Sequence, residues 1–112
     1  MASHRVEYVW SAILDYEVSC NPSLKRRTAI LRWRKHASEH VELTNTVYAR
    51  AVENQRHGIK NKDAMHLASA ELSHCDWLLT TDDAFAKKAK GLTAVRVASP
   101  VEFIMENRNE DV

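Results

Sequence analysis

The sequence predicts an α/β fold, and three observations carry that reading. Short apolar runs suited to strands alternate with longer stretches whose apolar residues recur at helical spacing, the order that builds parallel sheets through right-handed crossovers. Glycine and proline number two each, too few for the many turns of an all-β sandwich. The 112 residues contain no repeat and no linker-like stretch, so one domain with one modest core is expected across 1–112.

The elements follow in order. Val6, Tyr8 and Trp10 recur at period two and predict a strand over 5–10. Ser11 stands at an N-cap position before a helix carrying Ala12, Ile13, Tyr16, Glu17 and Cys20. Asn21-Pro22 ends it, with the proline at the first position of the next helix. There Leu24, Leu31 and the set Ile30, Trp33 and Ala37 predict a broad apolar face. A third helix opens at Thr44, spaced by Val47, Tyr48, Ala51 and Val52, and Gly58 is its left-handed stop, with Ile59 packing back.

Residues 62–75 read as the innermost helix, with Ala64, Leu67, Ala68, Leu72 and Cys75 on one face for close approach to a sheet. Trp77–Thr81 is expected to be a parallel strand covered on both faces. Thr81-Asp82-Asp83 caps a helix to about Lys90, closed by Gly91. Val95 and Val97 mark a last strand, and Ser99-Pro100-Val101-Glu102 is a capping box opening a helix through Phe103 and Ile104. Three strands and about six helices make a thin sheet.

Composition narrows the function classes. At 45% hydrophobic and 28% charged, the chain is of ordinary globular type rather than disordered. No apolar run approaches the ~20 residues of a membrane span, and no charged-then-apolar signal segment opens the chain, so a cytoplasmic protein with no membrane partner is expected. Cys20 and Cys75, with no C-x-x-C, read as two buried reduced thiols. A net charge of +1 conceals segregation. Lys25, Arg26, Arg27, Arg32, Arg34 and Lys35 crowd a stretch without any acid, while Glu102, Glu106, Glu110 and Asp111 give an acidic tail over 106–112 and just before it. Such a basic stripe attracts phosphate backbones, although it also serves simply to solvate a helix.

Sites in open parallel sheets form beyond the carboxyl ends of the strands. Asp82 directly follows the strand 77–81, Glu17 lies about two turns past the strand 5–10, and Asp63 opens the inner helix. Three carboxylates converging there without a compensating lysine would repel unless they held a hard divalent cation, Mg²⁺ or Mn²⁺. Asp63 and Asp82 are equally well placed to cap their helices, and Glu17 to be a solvated helix position.

The stretch Gly58-Ile59-Lys60-Asn61-Lys62-Asp63-Ala64-Met65-His66-Leu67-Ala68-Ser69-Ala70, followed by Cys75-Asp76-Trp77-Leu78-Leu79-Thr80-Thr81-Asp82-Asp83-Ala84-Phe85, resembles the second half of a PIN domain. Ser11 to Glu17 resembles that family's earlier strand-to-helix segment, and the likeness covers about residues 5–105. It implies a three-layer α/β/α fold and a metal-dependent ribonuclease, of the kind found as toxins of toxin–antitoxin pairs. Carried over residue by residue, it implies Glu17, Asp63 and Asp82 as catalytic metal-cluster acids, Asp83 as a neighbouring ligand and Thr80 as support for Asp82. Lys25, Arg26, Arg27 and Arg32 would then hold RNA; nothing points to DNA specificity. The rival reading is a catalytically impaired remnant that binds RNA or a protein.

The family begins with a central strand ending in a metal-binding Asp, and only Met1 to His4 precede the strand 5–10 here. The expectation is therefore an N-terminally incomplete fold. Its two strand edges would be covered by repacking, by an antitoxin, by self-association as a homodimer, or by a longer gene product. His36-Ala37-Ser38-Glu39-His40 matches the inverted zinc-protease pattern but sits at a polar helix end, and is set aside. His66 reads as a hydrogen-bonded interior or edge histidine, and Trp10, Trp33 and Trp77 as core.

Overall fold

The computed structural model describes residues 8–107. The chain is α/β, with six helices and four short strands in the order β1 (Val9–Ser11), α1 (Ala12–Cys20), α2 (Leu24–Arg34), β2 (Glu39–Val41), α3 (Asn45–Arg56), α4 (Asn61–Leu72), β3 (Trp77–Leu79), α5 (Asp83–Ala89), β4 (Arg96–Ala98) and α6 (Pro100–Asn107). All pairing is parallel. β1 pairs with β2, Trp10 opposite His40, and β3 with β4, Leu78 opposite Val97. The two pairs are separate sheets, so β1 and β3 share no hydrogen-bonded ladder.

The core lies between α3 and α4. Leu67 is fully buried among Val47, Ala51, Ala64, Ala68 and Ala70, with Ile59, Phe85, Ala89 and Val95 closing it. Alanine at four of these positions lets the two helix backbones approach closely. α4 also touches β1 and β3, so it is the element that ties the two sheets to one body.

Local chemistry fixes several boundaries. Thr44 caps α3 by accepting from the Val47 N–H, and Ser99 caps α6 by accepting from Glu102. Gly58 and Gly91 take the left-handed φ values, +91° and +84°, that stop α3 and α5. α4 closes on His74 at φ +58°, with the Cys75 N–H reaching the Ala70 carbonyl.

Other expectations fail. Ser11 occupies the α1 cap position but makes no side-chain cap bond, and Pro22 precedes α2, whose cap is Ser23. The expected apolar face of α2 is not buried: Leu24 and Trp33 are 68% and 64% exposed, the helix packing chiefly on α1, with the Tyr8 ring edge-on to Trp33. α2 ends at Arg34 and Glu39–Val41 is a strand, so His36 and His40 share no helical face and the zinc-protease pattern has no geometry. β3 is only half-buried, Leu79 being exposed, since α4 and α6 cover it incompletely. Trp10 is core; Trp77 is half-buried between Phe103 and the Arg96 guanidinium. Both cysteines are free, but Cys20 is exposed.

One buried polar knot went unforeseen. The Glu71 carboxylate accepts from Arg50 Nε and Nη2 at 3.0 and 2.8 Å, from the buried Asn54 amide at 3.0 Å and from the Thr93 hydroxyl at 2.8 Å. Burial pushes its pKa upward, but those donors more than offset this and hold it below the usual glutamate range. Its contribution is complete above that ordinary range and is lost as pH falls through the lowered folded value. Glu71→Ala strands Asn54 and half-buried Arg50, and is expected to cost about 2–4 kcal/mol in urea unfolding at neutral pH, and much less in acid.

Candidate active site

Asp82 owes its place to β3 and α5. The chain leaves β3 through Thr80, whose hydroxyl accepts the Asp82 N–H at 3.1 Å, and Asp82 itself caps α5 by accepting the Phe85 N–H at 3.1 Å. One carboxylate oxygen is thereby engaged; the residue remains exposed.

Asp63 stands in the first turn of α4, where the cap residue is Lys60, whose side chain makes no cap bond. Asp63 is therefore not a capping residue. Burial raises its pKa first, and the charges of Asp82 and Glu17 raise it further, against the opposing pull of His66 and Lys60. Asp63 and Asp82 share the lining of one small cavity, while Glu17 does not line it. That cavity, of about 30 Å³, room for a single water, is lined by Ile59, Lys60, Asp63, Asp82, Ala84, Phe85 and Lys88.

Glu17 projects from α1 and joins His66 of α4, Nε2 to Oε1, at 2.5 Å. His66 lies one turn after Asp63 on α4 and reaches α1, while Asp63 lines the cavity beside Asp82. The histidine is 14% exposed and hydrogen-bonded, as its position on the inner helix predicts. Asp15 is committed elsewhere, to Trp10 Nε1 and Arg34.

The remaining expected residues lie outside this cavity. Asp83 is exposed in the first turn of α5 and does not line the cavity shared by Asp63 and Asp82. The basic residues Lys25, Arg26 and Arg32 lie exposed on α2, while Arg27 turns back to the Asn21 carbonyl at 2.6 Å. Conversely, the edge is not free of lysine, because Lys60 acts on Asp63 and Lys88 lines the same cavity while bonding the Gly58 carbonyl. The sequence signal was there: both lysines stand within a helical turn or two of the acids they face.

Among the described residues, no three His, Cys, Asp or Glu side chains lie close enough to hold a metal ion together. The donor chemistry still fits a hard cation: Asp63 is a partly buried carboxylate that accepts no side-chain hydrogen bond among the described residues, beside a second carboxylate and a space of atomic size. A larger concavity of about 850 Å³ lies at the other end of β3, lined by His74–Trp77 and Gly91–Arg96, away from these acids.

Residues 5–91, more than half of the chain, match the family model described as PIN domain. The chain belongs to the PIN domain family. No curated protein and no solved structure matches it. A PIN domain is a three-layer α/β/α fold of nuclease type and generally works with divalent metal ions, which agrees with an acidic edge at the carboxyl end of β3. No helix among the described residues is long and apolar enough to cross a membrane.

Proposed function

We propose that this PIN domain hydrolyses RNA phosphodiester bonds with Mg²⁺ or Mn²⁺, as the toxin of a toxin–antitoxin pair in the cytoplasm. The observation that supports it most is Asp63, a carboxyl kept partly buried beside Asp82 at one cavity, with burial and neighbouring acid charge raising its pKa. Such an arrangement costs the apo protein stability, and a cation relieves that cost. Asp63 and Asp82 would be the principal ligands, with Glu17 completing the set once released from His66, Thr80 holding the Asp82 turn, and Asp83 in the outer rim.

When bound, the ion supplies water activation and neutralises charge developing on the phosphate. The chain supplies the rest. Lys60 and Lys88, at the cavity rim, are placed to meet a phosphate, and Lys25, Arg26, Arg27 and Arg32 would hold the backbone further along. In the apo protein a hydrogen bond from His66 holds Glu17.

A second reading, a module that binds RNA or a protein without cleaving, is favoured by the engagement of Glu17 with His66 and the lack of a preformed three-donor cluster among the described residues. A fluorescent RNA assay with Mn²⁺ and with chelator separates the two. The first reading expects cleavage that chelator abolishes; tight RNA binding in both conditions with no cleavage supports the second.

A further inference from the structure

α1 and α4 meet through two neighbouring contacts. Glu17 reaches His66, and one residue earlier the Tyr16 ring lies under Lys62, whose Nζ is 5.8 Å from the ring centroid. Lys62 and His66 stand one turn apart on α4, and Asp63 directly follows Lys62 in its first turn. Tyr16 is thereby held beside the candidate acids, yet it is 53% exposed.

What surrounds the ring decides what can cover it. Ile13 and Val18 of α1 are buried, so Tyr16 is not part of a broad apolar patch on that helix of the kind that meets a protein. Its surroundings are cationic instead. Lys62 covers the ring, and Lys60 and Lys88 line the cavity that Asp63 and Asp82 share. A flat π surface flanked by cations suits a nucleic acid strand, whose base stacks on the ring while its phosphates meet the ammonium groups. The hold of Lys62 on Tyr16 is weak, because both are exposed and their separation is near the limit for such contacts.

We propose that Tyr16 is a base-stacking subsite, taking the nucleobase next to the phosphate held at the Asp63–Asp82 cavity. The base displaces Lys62 from the ring, and the freed ammonium pairs with an adjoining phosphate. Stacking is tolerant of base identity, so the subsite sets the register of the strand rather than its sequence. It presupposes the RNA reading above and names the part of the RNA that α1 holds.

The test uses the full chain and a short uridine oligoribonucleotide carrying 2-aminopurine at successive positions, in chelator so that it stays intact. Binding should quench the fluorescence at one position. The quench should be lost in Tyr16→Ala and kept in Tyr16→Phe, with affinity falling at least about fivefold in the alanine variant alone. An abasic nucleotide at that position should weaken wild type equally and Tyr16→Ala no further, a coupling that a merely structural tyrosine does not give. Lys62→Gln should keep the quench and lower the salt dependence of binding by about one counterion. A quench that persists in Tyr16→Ala, equal losses in Tyr16→Phe and Tyr16→Ala, or additive losses from ring and base overturn the subsite and leave the RNA reading standing. Failure of wild type to bind the oligomer, in chelator and in Mn²⁺ alike, overturns both.

Discussion

Leu67→Ala is expected to destabilise the protein by about 4 kcal/mol, near the upper part of the range for buried leucines. Among the described residues Leu67 is the largest side chain with no exposure at all, and the cluster around it includes Ala51, Ala64, Ala68 and Ala70 of α3 and α4. Alanine has no side chain to swing into a void, so the space left behind cannot collapse without moving a helix. A small domain is typically stable by only ~5–15 kcal/mol, so the variant should be partly unfolded at body temperature. Urea unfolding should show the midpoint falling while the slope stays constant.

Asp63→Asn is expected to move activity and stability in opposite directions. Loss of a ligand acid should reduce metal-dependent RNA cleavage by at least about 100-fold, as several kcal/mol of charge stabilisation are removed. The apo variant should melt at a higher temperature than wild type, because burial and the charges of Asp82 and Glu17 make the ionised carboxyl unfavourable in the folded state. The sign follows from linkage. The folded pKa is raised, so below the ordinary aspartate range both states are protonated and the penalty vanishes. As pH rises through that range and past the raised value, ionisation costs the folded state progressively more. The stabilising effect of Asn should therefore be full at neutral pH and absent in acid. A variant that loses activity and stability together would make Asp63 a structural residue instead.

The acidic edge was legible in the sequence because each part is written locally. Asp82 sits one strand-end past Trp77–Leu79 and three residues before Phe85, the spacing of a cap, and Asp63 opens a helix whose Ala-rich face can only be interior. The larger failures are non-local. Glu39–Val41 is three residues without alternation, and becomes a strand only because Tyr8 accepts the Ser38 N–H at 2.9 Å and β1 lies alongside. The apolar spacing of α2 predicts a buried face only if a body exists to bury it, and spacing carries no information on that. Glu71 gathers donors from positions 50, 54 and 93, brought together by the packing of α3 on α4 and the loop before β4. The freedom of Asp63 from capping turned on Lys60 taking the cap position, a shift of a few residues at a helix end that propensity does not resolve.

The central claim is that Asp63 and Asp82 hold a divalent cation, and calorimetric titration of the apo protein with Mn²⁺ tests it most directly. Wild type is expected to bind one ion weakly, and Asp63→Asn and Asp82→Asn are each expected to reduce the affinity at least about tenfold, while Asp83→Asn, outside the cavity that Asp63 and Asp82 line, changes it little. Equal binding in wild type and in both Asp63→Asn and Asp82→Asn would contradict the account.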